Sequence, residues 1–226
     1  MIYLEVYSSE VISMFSGFTP ETVDFLWGIR MNNNREWFQA NKKTYTDFLY
    51  EPMKALGQAL FVPFADKPGN LLKVSRIYRD ARLHHPLPYK ESLWICIRKD
   101  VQWWAENPCL FFEINPEGVD YGFFYWKPPV ATLEAFRQQI SAQPKKFLKL
   151  IRDAEAATGI QVTADLYKRP KPTDNEALSP FFAWKGAISC IRHEDFSDAT
   201  FGPELAIRVR TMLEQLIPMY EFFHNM

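Results

Sequence analysis

Cysteine, net charge and long apolar runs are all scarce in this 226-residue chain. Cys96, Cys109 and Cys190 show no C-x-x-C spacing, which excludes a disulfide framework or zinc knuckle and predicts three buried thiols. Lys plus Arg number 26 against 27 for Asp plus Glu, so the molecule has no overall field for polyanions and any basic site must be local. Charges or prolines interrupt every apolar stretch well short of the ~20 residues that a membrane span needs. The opening residues carry Glu5 and Glu10 and no basic region, which argues against a secretory signal and for a cytoplasmic protein. No G-x-S-x-G, G-x-x-x-x-G-K-[ST] or G-x-G-x-x-G occurs, so serine-hydrolase, P-loop and dinucleotide readings lose their usual support, and no cofactor is expected. Repeats, low-complexity tracts and Gly/Ser linkers are also missing, so residues 1–226 read as a single domain.

What is present suits a packed core. Hydrophobic residues make up 47% and charged residues 23%, which rules out a disordered chain. Thr19-Pro20-Glu21 is a helix start, and the apolar spacing predicts a helix from about Pro20 to Arg30. Asn33 followed by Glu36 has the form of a capping box, predicting a second helix that carries Trp37, Phe38, Tyr45, Phe48 and Leu49. Pro52 ends or bends it, with a third helical stretch to about Phe61.

The middle of the chain changes character. Leu71 to Val74, Leu93 to Ile97 and Leu110 to Ile114 are short branched or aromatic runs that predict strands. Asn115-Pro116-Glu117-Gly118 fits a type I turn, so Val119 to Trp126 should return antiparallel. Helices are expected over Thr132 to Ile140 and Pro144 to Ala157, the second ending at Gly159. The stretch 165–176 reads as a loop, and 187–191 as a last strand. An amphipathic helix from Pro203 to His224, bent at Pro218, closes the chain. The class is therefore α+β: a central, mainly antiparallel sheet with helices packed around it, a helical N-terminus and a long C-terminal helix.

Charge is segregated along this balanced sequence. From Lys73 to Lys99 there are seven cations, Lys73, Arg76, Arg79, Arg82, Lys90, Arg98 and Lys99, against Asp80 and Glu91. The densest part is Arg76-Ile77-Tyr78-Arg79-Asp80-Ala81-Arg82. If helical, Arg76, Arg79 and Asp80 share a face; if extended, Arg76, Asp80 and Arg82 share one and Arg79 takes the other. Pro86 and Pro88 forbid a long helix beyond, favouring an irregular loop at a strand end. Guanidinium forks recognise carboxylate or phosphate, and Asp80 is placed to orient one fork. The candidate site is thus Arg76, Arg79, Asp80 and Arg82, with Tyr89 and Lys90 adding donors, and its expected partner is a small anionic molecule. Asp80 is also the candidate acid or base if the protein is an enzyme. Two alternatives stand beside this reading: a nucleic-acid or protein interaction module using the same basic strip, or arginines that only tie the fold together.

At these residues the sequence resembles the bacterial family DUF2461, whose hallmark is Arg-x-x-Arg-Asp-x-Arg-Phe followed by an Asp/Asn-Lys pair and a Tyr. Arg76, Arg79, Asp80 and Arg82 match the first part, and Tyr89-Lys90 resembles its end. The run Asn32-Asn33-Asn34-Arg35-Glu36-Trp37-Phe38, with Lys42 and Tyr45, is similar to the family's early segment. The resemblance covers about residue 15 to the C-terminus. Leu83 stands where the family has Phe, and His84-His85-Pro86-Leu87-Pro88 replaces the stretch holding the Asp/Asn-Lys pair. The family brings no established activity with it.

Other polar groups carry weaker signals. Capping explains the asparagines, whereas Arg35 at a helix N-terminus is placed to add to an anion site facing the arginine loop. His84, His85, His193 and His224 show no metal-ligand spacing, so no metal site is expected, and His193 reads as a surface residue. Trp94, Trp103, Trp104, Trp126 and the aromatic run 121–125 read mainly as core, an exposed subset being a stacking platform for bases or sugars.

Overall fold

The computed structural model describes residues 15–80, 82 and 86–226. Leu83, His84, His85 and the opening residues with Glu5 and Glu10 lie outside the described residues. The fold is α+β, with a six-stranded antiparallel sheet in the order β1-β2-β3-β4-β6-β5. The strands are β1 (Asn70–Val74), β2 (Leu93–Lys99), β3 (Cys109–Ile114), β4 (Gly118–Tyr125), β5 (Thr163–Leu166) and β6 (Trp184–Asp195). No described helix is long and apolar enough to cross a membrane. The three cysteines are free and buried.

The chain divides into two compact units, the first containing the described residues up to Ile97 together with 112–121 and 193–211. It opens with α1 (Pro20–Met31) and α2 (Arg35–Ala40). A short turn Lys42–Thr44 then runs through a π-helical turn, Tyr45–Tyr50, into α3 (Glu51–Phe61). Asn34, not Asn33, caps α2, its side chain accepting from the Trp37 N–H at 2.9 Å. The cap therefore falls one residue later than expected and is a single bond rather than a capping box, because Asn33 is used elsewhere, as described below.

The π turn explains how Pro52 is accommodated two residues into α3. Proline has no N–H, so the Phe48 carbonyl loses its usual helical donor. The buried Thr22 hydroxyl of α1 supplies a donor instead, at 2.5 Å. Phe25, Leu26 and Ile29 of α1 and Met53, Leu56 and Leu60 of α3 are buried with Phe38 and Leu49. Within β3, Phe112 and Ile114 are fully buried while Glu113 between them is partly exposed; in β4 the same holds for Val119 and Tyr121 around Asp120. This period-2 alternation places Glu113 and Asp120 on the face opposite the core.

The second unit comprises residues 98–111, 122–192 and 212–226. It contains α4 (Val130–Ala142) and α5 (Pro144–Thr158), with Gly159 in the left-handed conformation closing α5. Phe136 of α4 stacks on Trp184 with centroids 5.5 Å apart and meets Phe147 edge-on. The buried Arg137 guanidinium donates to the carbonyls of Trp184 at 2.5 Å and Leu133 at 3.1 Å, tying α4 to the start of β6. β5 adds a strand that the sequence reading lacked, Thr163 pairing with Ser189 and Ala164 with Ile188 on β6; of the loop expected over 165–176, only Asp165 and Leu166 belong to it, and 167–175 is irregular as expected. Its polar, largely exposed TADL carries no apolar alternation and suits an edge strand. The C-terminal helix is broken as expected, α6 (Glu204–Gln215) and α7 (Ile217–His224) meeting at Leu216 with Pro218 just beyond.

Candidate functional site

The arginine motif begins where β1 ends. Residues 75–79 and 88–94 run antiparallel beside one another: the Ser75 N–H donates to the Trp94 carbonyl at 2.8 Å, Lys90 N–H to Ile77 at 2.7 Å, and Arg79 N–H to Pro88 at 2.9 Å. Pro88 contributes only its carbonyl, so its missing N–H costs nothing here. Tyr78 and Tyr89 form the bridge pair. The Asn33 amide then acts as a short third strand. It donates to the Tyr89 carbonyl and accepts from the Tyr89 N–H, each at 3.0 Å.

That backbone frame brings Arg76, Arg79 and Lys90 together. The Lys90 ammonium donates to the Arg76 carbonyl at 2.7 Å and lies over the Trp94 ring at 5.6 Å. Burial depresses its affinity for a proton, the Arg76 and Arg79 charges depress it further, and Glu113 opposes them. Arg79 reaches the Glu91 carboxylate at 3.8 Å, and its Nε is buried with no hydrogen-bond partner among the described residues. Glu91 is more firmly held by Arg30, whose Nε lies 2.8 Å away. Arg30 also clasps Glu117 through both terminal nitrogens and covers Trp27 at 5.0 Å.

Other residues expected in the site are placed differently. Asp80 does orient a guanidinium, but that of Arg82: it accepts from the Arg82 Nε at 2.9 Å, Nη2 at 2.6 Å and backbone N–H at 3.0 Å. This pair is open to solvent, with the Arg82 side chain 86% exposed. Tyr89 is buried, stacked on Phe38 at 4.3 Å between centroids. Burial and the neighbouring Tyr78 raise its hydroxyl above the ordinary value, and the Arg35 charge acts against them. Tyr78 is 53% exposed at the edge of the same aromatic group.

A second set of polar groups lies on the sheet and carried little signal in the sequence. The reciprocal hydrogen bonds of Asn115 and Gly118 set the β3–β4 register and place Glu113 directly opposite Asp120. Burial is the largest cause raising the Glu113 carboxyl above the usual range; Asp120 adds to it, while a Ser92 hydrogen bond and the Lys90 charge oppose it. Asp120 accepts from Asn115 Nδ2 at 3.0 Å and contacts His193 Nδ1 at 2.9 Å. His193 also reaches Asp195, 3.3 Å away. The hydrogen bond to Asp120 is the main cause raising the imidazole above its ordinary value. Ser92, Glu113, Asp120 and His193 thus form a polar row whose members sit on or beside neighbouring strands β2, β3, β4 and β6. A lone Glu within the strand CLFFEI was the available sequence signal.

Among the described residues no group of His, Cys, Asp and Glu has a metal-binding arrangement. In the second unit, a cleft of about 420 Å³ is lined by Lys146, Lys149, Asp153, Glu221 and Phe222, and none of the motif residues borders it. Trp103, Trp104 and Trp126 are exposed, whereas Tyr121, Phe123 and Tyr125 are core, as most of the aromatics were expected to be.

These features define an α+β protein with a cationic cluster where β1 leads into an irregular segment and a polar row on the sheet. The chain belongs to the family described as conserved hypothetical protein (DUF2461), whose profile matches residues 21–222. A comparison with curated proteins finds no match.

Proposed function

We propose that the protein binds a small phosphate- or carboxylate-bearing molecule through Arg76, Arg79 and Lys90. The observation that carries this reading is the Lys90 ammonium, which donates to the Arg76 carbonyl at 2.7 Å and whose hold on its proton the Arg76 and Arg79 charges weaken. Glu91, 3.8 Å from Arg79, is already engaged by Arg30, so the cluster keeps a local excess of positive charge. An oxyanion relieves that repulsion. Trp94 beneath Lys90 keeps the ammonium partly desolvated, which strengthens its attraction for an anion. Arg35, Tyr89 and the Asp80–Arg82 pair form the outer part of the site. Three buried free thiols support a reducing, cytoplasmic setting.

The test is a thermal-stability panel of phosphates, sugar phosphates, nucleotides and carboxylates at fixed ionic strength, because a ligand that prefers the folded state raises its stability. Stabilisation by selected anions that disappears in Lys90→Met supports the reading. Equal stabilisation of wild type and Lys90→Met refutes it.

A further inference from the structure

We propose that the cleft between α5 and α7 in the second unit is a binding site for a zwitterionic aromatic molecule of the α-amino-acid class. It is independent of the anion-binding reading above, and neither stands or falls with the other. The buried residues of α5 are Phe147, Ile151, Ala154 and Thr158, and those of α7 are Met219, Tyr220 and Phe223. These stripes take each helix into the core. The cleft is lined by the neighbouring stripe of α5, Lys146, Lys149, Leu150 and Asp153, at i, i+3, i+4 and i+7. Glu221, Phe222 and Asn225 line it from the end of α7. Facing stripes of packed helices are ordinarily apolar and interdigitate. Here both are charged or polar around an apolar middle, and about 420 Å³ stays open between them. That volume falls in the range of small-molecule sites, roughly 300–1,000 Å³.

Leu150 and Phe222 form the floor. Both are half-buried and lie outside the core stripes, so water still reaches them. The Phe222 ring is held by Phe147 and Phe223, with centroids 5.5 and 5.3 Å away. A flat ring laid on this floor takes apolar surface out of water and adds an aromatic contact to Phe222. The rim sets the charges of the ligand. Lys149 is neutralised by Asp153 one turn on. Lys146 has no ion pair or hydrogen bond among the described residues, which leaves its ammonium to a ligand carboxylate. Glu221 brings the opposite charge from α7, and a carboxylate has acceptor sites for an ammonium beside any partner it already holds. The rim thus carries two cations and two anions. A simple anion gains at Lys146 and loses at Glu221, and a simple cation does the reverse. A molecule with both charges on a short aromatic frame gains at both.

L-Phenylalanine is the probe, with phenylpropionate and phenethylamine as its acid-only and amine-only counterparts. Methyl NMR of the full chain, labelled at leucine, follows the Leu150 signal through each titration. The expected result is a saturable shift with L-phenylalanine, each counterpart binding about three- to tenfold more weakly. Lys146→Met should weaken L-phenylalanine by a similar factor and leave phenethylamine unchanged. Glu221→Gln should also weaken L-phenylalanine, and leave phenylpropionate unchanged. Both side chains are exposed, so neither substitution endangers the fold, and the three titrations of the wild type need no variant at all. A Leu150 signal that stays still up to the solubility limit of L-phenylalanine overturns the proposal. So do counterparts that bind as tightly as the amino acid, or variants that bind it like the wild type. Shifts at other leucines with Leu150 unmoved place the amino acid elsewhere and overturn the assignment of the cleft.

Discussion

Replacing Arg79 by alanine separates a binding site from an architectural ion pair. The side chain is 25% exposed, and its contact with Glu91 is long at 3.8 Å. Glu91 is not orphaned by the change, because Arg30 remains on it at 2.8 Å. A partly solvated pair of this kind contributes about 0–1 kcal/mol. The buried part of the aliphatic stem adds on the order of 1 kcal/mol. The Nε loses no hydrogen bond, having none among the described residues. Arg79→Ala should therefore cost about 1–2 kcal/mol, against the ~3–5 kcal/mol of breaking a buried ion pair. In thermal denaturation the smaller loss lowers Tm by roughly 2–8 °C for a protein of this size. Urea unfolding at neutral pH gives the free energy directly, and the same samples report whether anion-dependent stabilisation is gone. Loss of that stabilisation with a cost near 1 kcal/mol supports a site. A cost of about 3 kcal/mol or more, with anions stabilising wild type and variant alike, would refute the reasoning and make the motif architecture.

Two further outcomes follow from the hydrogen bonding. Asn33→Ala strips the Tyr89 N–H and carbonyl of their partners in a part-buried position, and at ~1–3 kcal/mol for each unmet group it should cost about 2–6 kcal/mol. Urea unfolding checks this, and a loss below about 1 kcal/mol contradicts the assigned role. His193 has its folded pKa raised chiefly by Asp120, so its contribution is fully present below the unfolded value of about 6.5 and fades as pH rises through the folded value. The stability difference between wild type and His193→Ala, measured from about pH 5 to 9, should be small for so exposed a pair and confined to the acidic end; a flat difference across the range rules the pair out.

Much of the fold was legible because its signals are local. Proline at the start of α1, Gly159 after α5 and the Asn-Pro-Glu-Gly turn between β3 and β4 each fix a boundary through backbone chemistry that neighbours do not alter. The edge strand β5 was missed because its four residues owe their conformation to pairing with β6, which no local pattern announces. The candidate site divides in the same way. Arg76, Arg79 and Lys90 stood out by charge density, but their convergence depends on Pro88 and Ile77 supplying backbone acceptors across fourteen or fewer residues of chain. Glu113, Asp120 and Arg30 were invisible as a group because the strand register and the turn of α1 bring them near residues that are distant in sequence. Asn33 and Asn34 show how fine that limit is. Adjacent and chemically identical, one caps a helix and the other binds a strand.

The Asn33 amide has a bearing on self-association. An extended segment with unpaired backbone groups is a template on which a second chain can add a strand. Tyr89 has its N–H and carbonyl directed away from Tyr78, and a side chain of the same molecule occupies both. A single amide, which mimics the peptide group in shape and polarity, thus terminates the ladder beside Lys90 without presenting a further edge.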